Sequence, residues 1–396
     1  MPPPPLGGAP PPPPVVLLQV LLTPPPPPPP PLREAFGVDG RADEEARFAA
    51  LVAAAGGRGH ALHYDVATLE HIVLWMWARL QISPRDVVAS CKALSALSES
   101  SLNAGKLRVC GAVGALLAAL SAFPGNVEVC APALYALAHV SSVDGECIAR
   151  SSGEAGVLVA LRTLGGASPA VAAAGCWCIA NGATSAAGQA SLGAVGAARD
   201  VVRVMVLHAA SEMVQMPGCW ALRNLAVADV NRGRIEKAGG VEACLEALSA
   251  HTTSRELLVH ACAALANLAA TESVSAAVAK AGGVEQSLVA LVLGVNDARV
   301  TEHACSLIKN LAVRDSAERQ LVKRGAVEAL LVTLRTLPPS SPALPDCLGA
   351  LYNVTYSRAG AARLAAATGA RALLEGFTDH ADAGVAVWAT RVAART

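Results

Sequence analysis

An aromatic residue and an asparagine, four positions apart, recur in the middle of the chain and could together hold a ligand. Trp177 and Asn181 form one such pair, and Trp220 and Asn224 form the next, 43 residues further on. Positions i and i+4 lie on the same face of a helix, so each pair is predicted to present both side chains together. An asparagine amide donates and accepts hydrogen bonds, and an indole ring offers a flat surface to a cation. These groups favour recognition rather than catalysis.

The sequence contains none of the common catalytic or metal-binding motifs. It has no phosphate-binding glycine loop, no Gly-x-Ser-x-Gly elbow and no His-Glu-x-x-His zinc motif. The only closely spaced pair among its 11 cysteines is Cys176-x-Cys178, which lacks the spacing of a zinc site. We therefore predict that the protein is not an enzyme and binds neither a metal nor a cofactor.

The asparagines belong to an internal repeat of 43 residues. Glycines recur in the same register between two apolar helical patterns, where each is predicted to end a short helix. In one repeat this predicts helices over 231–237, 241–248 and 254–270, with Ser254 as the N-cap of the third. Such units bury their apolar faces only by stacking on their neighbours. The repeated glycines and asparagines are Gly196, Gly239, Gly282, Gly325, Asn181, Asn224, Asn267, Asn310 and Asn353.

The first 40 residues differ from the rest of the chain. They hold 17 of the 26 prolines, all within the first 32 residues, and proline lacks the donor that helices and sheets require. We expect residues 1–40 to be a disordered proline-rich arm, with an alternative role as a ligand for a proline-reading module. The apolar run 15–22 is too short for a membrane helix, so we predict no membrane anchor.

The remaining chain is predicted to be helical throughout. Residues 41–100 are interpreted as an N-terminal helical cap and a first degenerate repeat, in which Trp75 and Trp77 are core residues. Residues 101–396 are interpreted as an array of about six repeats that ends in a partial C-terminal cap around Trp388. Cysteines five positions before the repeated asparagine fall on the predicted core face, where we expect them to act as small buried hydrophobes.

The repeat resembles that of the armadillo family, which includes importin-α and β-catenin. The resemblance rests on the three-helix unit, its glycine turn and the segment Gly-Cys-Trp-Ala-Leu-Arg-Asn-Leu-Ala around Trp220. The resemblance covers about residues 85–396. It implies an all-α fold, a right-handed superhelical solenoid of three-helix repeats. It also implies that the aromatic and asparagine side chains line a concave groove that grips the backbone of an extended peptide.

By this resemblance, the predicted groove includes nine residues. For Asn267, Asn310 and Asn353, which lack an aromatic partner, the sequence equally allows a hydrogen bond that bridges neighbouring repeats without any ligand. Asn353 also begins a glycosylation sequon, but its place in the register favours a structural asparagine. The groove residues are Tyr135, His139, Trp177, Asn181, Trp220, Asn224, Asn267, Asn310 and Asn353.

Charge limits the partners that this groove is expected to take. The formal net charge is zero and only 3% of residues are aromatic, which argues against nucleic-acid binding through bulk charge or base stacking. The groove is predicted to be mildly basic, and no acidic residue follows four positions after the asparagines, unlike the acid-lined groove of importin-α. We therefore expect a protein partner that presents an extended peptide of neutral or acidic character. The charged residues assigned to the groove are Arg223, Glu256, His260, Arg299, Glu302, His303, Lys309, Arg314 and Asp346.

The sequence thus predicts a cytoplasmic, non-enzymatic scaffold or adaptor that binds a peptide in its groove. The alternative is a structural subunit of a large cytoskeletal or ciliary assembly, docked through convex or terminal faces. A nuclear import adaptor is the weakest of the three, since the groove lacks acidic residues for a lysine-rich signal.

Overall fold

The computed structural model describes residues 41–58 and 64–396, and within these ranges the chain forms helices and turns without any strand. The predicted proline-rich arm, residues 1–40, lies outside the described residues. The chain divides into two compact units, which meet in sequence between Thr163 and Leu164. Each unit is described by itself.

The first unit begins with the helices predicted as a cap and continues with three-helix repeats. The predicted boundary at residue 100 falls in the turn between two of its helices. The helices are α1 (Arg41–Arg58), α2 (Val66–Arg79), α3 (Pro84–Ser98), α4 (Ser101–Val109), α5 (Ala112–Ala122), α6 (Val127–Val143), α7 (Cys147–Arg150) and α8 (Glu154–Leu164), whose last residue opens the second unit.

The second unit repeats one pattern, in which a short first helix and a longer second helix lead to a third helix. The repeat predicted over 231–270 is observed as α13, α14 and α15, which confirms the three-helix prediction. The helices are α9 (Pro169–Gly182), α10 (Ala186–Ala194), α11 (Ala197–Leu207), α12 (Glu212–Leu225), α13 (Asp229–Lys237), α14 (Gly240–Ala250), α15 (Arg255–Leu268), α16 (Glu272–Lys280), α17 (Gly283–Leu293), α18 (Ala298–Leu311), α19 (Asp315–Lys323), α20 (Ala326–Thr336), α21 (Leu344–Val354), α22 (Arg358–Ala366), α23 (Ala370–Glu375) and α24 (Ala383–Ala393).

The repeated glycines make the turn between first and second helices. Gly239 has φ of 85° and Gly282 has φ of 100°, in the left-handed region that a side chain disfavours. The same conformation occurs at Gly196 and Gly325, so all four predicted glycine turns are confirmed. The turn lets a short helix end and the next begin at a sharp angle, which brings the third helix of each repeat beside that of the previous one.

Ser152 takes the left-handed conformation in the repeat that begins at α7, where its φ is 51°. A serine in this region carries a steric cost that glycine avoids. We expect Ser152→Gly to raise the free energy of unfolding, measured by urea titration, by about 0.5–1 kcal/mol. Ser151 is equally exposed but has φ of −95°, so Ser151→Gly should lower it. Equal effects of the two substitutions would contradict this explanation.

The core of each unit consists mainly of leucine, valine, alanine and cysteine. Cys176, Cys219, Cys262 and Cys305, all on third helices, are fully buried, as the repeat register predicts. Burial raises the pKa of Cys176 and of Cys262 to about 12, mainly because the buried thiolate would lose its contact with water. These cysteines therefore remain neutral thiols and pack as small hydrophobes.

Two local predictions need correction. Trp75 is buried and stacks on Phe48 with ring centroids 4.9 Å apart, but Trp77, predicted as core, is only half-buried. The two lie two positions apart on α2, so they cannot share one face. Ser254 occupies the predicted N-cap position, yet its hydroxyl donates to Glu212 instead of accepting from its own helix. Its side chain thus links two repeats.

Within the described ranges, no single helix is both long and apolar enough to cross a membrane. Two pairs of consecutive helices, α4 with α5 and α16 with α17, pass that test only when joined across bends of 81° and 79°.

Candidate functional site

The third helices of the second unit form a continuous surface, because each packs beside the third helix of the next repeat. On α12, Cys219 and Leu222 point into the core and are fully buried. Trp220 and Asn224 lie on the opposite side and are half-buried. We call the exposed side of α9, α12, α15, α18 and α21 the third-helix face.

Three rings stack in sequence across this face. Trp177 and Trp220 meet edge to face, with ring centroids 4.9 Å apart and an interplanar angle of 84°. Trp220 also stacks on His260, with ring centroids 5.0 Å apart and an interplanar angle of 12°. These geometries are among those that aromatic rings prefer. Trp177, Trp220 and His260 form what we call the aromatic row, and its rings stay half-buried, with surface left for a ligand.

The helical spacing of the sequence predicts that the two tryptophans share one face, but it does not indicate that His260 packs beside them. His260 lies seven positions before its repeat's asparagine, whereas Trp220 lies four before its own. The contact therefore joins different positions of consecutive repeats, and a comparison of equivalent positions does not reveal it.

The repeated asparagines form hydrogen bonds between repeats. The Nδ2 of Asn267 donates to the backbone oxygen of Arg223 at 3.0 Å, and the Nδ2 of Asn310 donates to that of Ala266 at 2.9 Å. Each acceptor precedes the asparagine of the previous repeat by one position. The structure thus contains the hydrogen bonds between neighbouring repeats that the sequence allowed for Asn267, Asn310 and Asn353. Asn224 forms the same kind of bond. The asparagine ladder is Asn224, Asn267, Asn310 and Asn353.

The bridge occupies only part of each amide. An asparagine has two N–H groups and an oxygen that accepts, and the bridge uses one N–H. No donor within the described residues reaches the Oδ1 of Asn224 or Asn267, and both side chains are half-exposed. The ladder can therefore hold the repeats together and still offer groups to a peptide backbone. Asn181 differs, since it is only 5% exposed and has little surface for a ligand.

Ion pairs alter the charge that the sequence predicted for this face. Arg299 pairs with Glu256, Lys309 pairs with Asp346, and Arg314 pairs with Glu272 at 3.3 Å. Each of these three cations is thus paired with a carboxylate from a neighbouring repeat, and two of those carboxylates, Glu256 and Asp346, are themselves predicted groove residues. Of the four predicted groove cations, Arg223 alone forms no ion pair within the described residues.

Arg223 fixes the state of the histidine beside it. Its Nη1 lies 3.3 Å from the Nδ1 of His260. A guanidinium only donates, so this Nδ1 must be unprotonated and His260 must be neutral. The pKa of His260 agrees, since burial and then the charge of Arg223 lower it to about 4.

The two groove histidines, His260 and His303, should make the stability of the protein depend on pH. Burial, followed by the charge of Arg223, also lowers the pKa of His303 to about 4, against 6.5 in an unfolded chain. As the pH falls from 6.5 to 4 the unfolded state takes up protons first, so stability that is complete above pH 6.5 is lost in this range. We expect urea titrations at pH 7, 5.5 and 4.5 to show this fall, and a His260→Gln, His303→Gln variant to show less of it. The same slope in both proteins would exclude the histidines as its source.

The last repeat is covered by the C-terminal helix. Trp388 of α24 packs on Tyr352, with ring centroids 5.3 Å apart, and the guanidinium of Arg395 lies 3.7 Å from the Tyr352 ring. Gly349 stands where Trp177 and Trp220 stand in their repeats, and a Cβ there would lie 3.8 Å from Trp388. The predicted groove residue Asn353 therefore lies beside this cap, away from the aromatic row.

Tyr135 and His139, also predicted for the groove, belong to α6 of the first unit. Both are half-buried, and the Nδ1 of His139 lies 3.0 Å from the Oγ of Ser98. Burial lowers the pKa of His139 and raises that of Tyr135. In the part of the chain that the structure describes, no cluster of His, Cys, Asp and Glu could hold a metal ion.

No protein-family model matches this chain, and no curated protein sequence matches it. Solved structures do match. An engineered protein from a structural genomics consortium shares 20% identity, with a TM-score of 0.69 over 92% of this chain and 97% of its own. A structure concerned with a phosphorylation switch in the interaction of cadherin with β-catenin shares 16% identity, with a TM-score of 0.73 over 91% of this chain and 77% of that one.

A third match is a designed armadillo repeat protein in complex with the peptide (KR)4. It shares 25% identity, with a TM-score of 0.50 over 61% of this chain and 99% of its own. Together these structures confirm the predicted all-α armadillo solenoid as the fold of this protein, and with it the resemblance to armadillo repeats.

Proposed function

We propose that this protein is a non-enzymatic interaction scaffold that binds an extended peptide along the third-helix face of its second unit. The observation that carries the proposal is the aromatic row, in which Trp177, Trp220 and His260 stay half-exposed on the side opposite the core. Tryptophan is enriched among residues that dominate binding energy at interfaces. The unused amide groups of the asparagine ladder lie on the same face and can bind a peptide backbone.

The charges of the face support a neutral or acidic peptide. A lysine-rich peptide needs several free carboxylates, but Glu256 and Asp346 are already paired with cations of this chain, and Glu302 is the one predicted groove carboxylate without an ion pair within the described residues. The designed armadillo repeat protein that binds (KR)4 therefore resembles this chain in fold, while the ligand we propose differs in charge.

The remaining expectations of location and partners also stay proposals. All 11 cysteines are free thiols, which supports a reducing compartment such as the cytoplasm, with nuclear, ciliary or cytoskeletal association as alternatives. Recognition of the proline-rich arm by a proline-reading module is a separate proposal that concerns residues outside the described ranges.

A second candidate function is a structural subunit that docks through its outer helices. Exposed apolar side chains favour it, because Val206 and Leu207 end α11 at 58% and 55% exposure, and Val292, one position before the end of α17, is 66% exposed. This candidate predicts that Val206→Ser with Leu207→Ser releases the protein from its assembly, while changes in the aromatic row do not.

A displayed library of random dodecapeptides tests the peptide-binding proposal. The library would be selected on the full chain and counter-selected on the Trp177→Ala, Trp220→Ala variant. Peptides that share a sequence pattern and are lost on the variant would support the proposal. If no peptide is enriched, or if the enriched peptides bind both proteins equally, the peptide does not bind at the aromatic row and the proposal is refuted.

A further inference from the structure

Arg223 is the one predicted groove cation whose charge is not balanced by an ion pair within the described residues. It is half-buried on α12, and burial lowers the pKa of its guanidinium, an effect that the charge of Glu302 opposes. A guanidinium that has lost part of its water and lacks a counter-ion gains more from a carboxylate than one in bulk solvent. Arg223 is therefore prepared to receive a negative charge from outside the chain.

Glu302 does not already supply that charge. It forms no ion pair with Arg223 in the described structure, although the two affect each other at longer range. Burial, and then the charge of Asp346, raise the pKa of Glu302. Glu302 should instead weakly repel an incoming acidic group.

The neighbours of Arg223 fix where such a group would sit. Trp220 precedes Arg223 by three positions on α12, and side chains at this spacing are neighbours, with Cβ atoms about 5–6 Å apart. In an extended peptide, alternate side chains point the same way and lie about 6.6–7 Å apart. One peptide can therefore place one side chain against Trp220 and the side chain two positions further along against Arg223.

The aromatic row also sets the length of this contact. Its ring centroids are separated by 4.9 Å between Trp177 and Trp220 and by 5.0 Å between Trp220 and His260. At about 3.3 Å per extended residue, neighbouring rings are separated by roughly one to two residues of a peptide. The specific contact is thus short, and the asparagine ladder extends it through the backbone.

We propose that Arg223 binds the side-chain carboxylate of an aspartate or glutamate in the ligand peptide, two positions from an apolar side chain that packs on Trp177 and Trp220. This rests on the proposed peptide-binding function and adds the chemistry of the ligand to it. Arg223 then determines specificity, while the aromatic row and the ladder supply contacts that most extended peptides can use.

Heptapeptides of fixed design test this inference. Each carries Phe, Tyr or Leu at position 3, Glu, Gln or Lys at position 5, and mixed neutral residues elsewhere, with both ends blocked. Binding to the full chain is measured by fluorescence anisotropy. We expect the Glu peptides to bind about 10- to 100-fold more tightly than the Gln peptides, as for hydrogen bonds between charged groups. The Lys peptides should bind most weakly.

Three variants assign the preference to its residue. Arg223→Gln should remove the difference between Glu and Gln peptides, and Arg223→Glu should make the Lys peptides the preferred ones, a gain that misfolding cannot imitate. Glu302→Gln should strengthen binding of the Glu peptides by about two- to fivefold, the size of a weak surface interaction.

The outcomes separate this inference from the function on which it rests. Peptides that bind without a preference for Glu, or a preference that survives in Arg223→Gln, would overturn the inference and leave peptide binding intact. No binding by any peptide, whatever its charge, would overturn the proposed function and the inference together.

Discussion

Alanine at both Trp177 and Trp220 is expected to weaken peptide binding by about 100-fold or more, the scale of two interface hot spots. Each ring offers a half-buried flat surface, and each single substitution should cost about 2 kcal/mol of binding energy. The rings are in contact at 4.9 Å, so the double substitution need not equal the sum of the two. Fluorescence anisotropy with the tightest peptide of the fixed-design set measures the effect.

Trp388→Ala provides the matched control for this prediction. Trp388 contacts Tyr352 in the C-terminal cap and lies outside the aromatic row. It should leave peptide affinity within about twofold, while circular dichroism should show the same helical content in all three proteins. An affinity of the double variant within about threefold of the wild type would contradict the assignment of the groove to this row, because a hot-spot residue costs more.

Alanine at Asn231 is expected to lower the free energy of unfolding by about 3 kcal/mol, since it leaves several buried polar groups without partners. Asn231 is fully buried on α13. Its Nδ2 donates to the backbone oxygens of Gln189 at 2.8 Å and Leu225 at 3.1 Å, and its Oδ1 accepts from Arg234 at 3.0 Å. Urea titration followed by circular dichroism measures the loss.

Two further substitutions show whether the hydrogen bonds cause this loss. Asn231→Asp keeps the shape but removes the two donors, so it should be as damaging as alanine or worse. Asn310→Ala removes a single bridge at 2.9 Å and should cost about 1 kcal/mol. If Asn231→Ala cost no more than Asn310→Ala, the hydrogen bonds of Asn231 would not explain its burial.

The elements of the fold could be predicted from the sequence because one pattern repeats many times. Gly239 and its equivalents required a left-handed turn, and Cys219 and its equivalents marked the core face, so helix order and orientation followed from spacing alone. These features depend on residues close together in one repeat, where helical geometry limits the choices. For the same reason Trp177 and Trp220 could be assigned to one face.

The properties of the site depend on contacts between different positions of consecutive repeats, and these could not be predicted in the same way. The stacking of Trp220 on His260, the pairing of Lys309 with Asp346 and the bond from Ser254 to Glu212 all join residues about one repeat apart. Their geometry follows from how the repeats are rotated on one another, which the spacing of residues does not specify. A count of charged residues in the sequence therefore could not show that, of the four predicted groove cations, Arg223 alone has no ion pair within the described residues.

Fluorine NMR of the protein labelled with 5-fluorotryptophan shows whether a peptide binds at Trp177 and Trp220. The chain has five tryptophans, so five signals are expected, and single Trp→Phe variants assign them. On addition of the tightest peptide of the fixed-design set, we expect the signals of Trp177 and Trp220 to move while that of the buried Trp75 does not. Saturable peptide binding that leaves the Trp177 and Trp220 signals unchanged would contradict it.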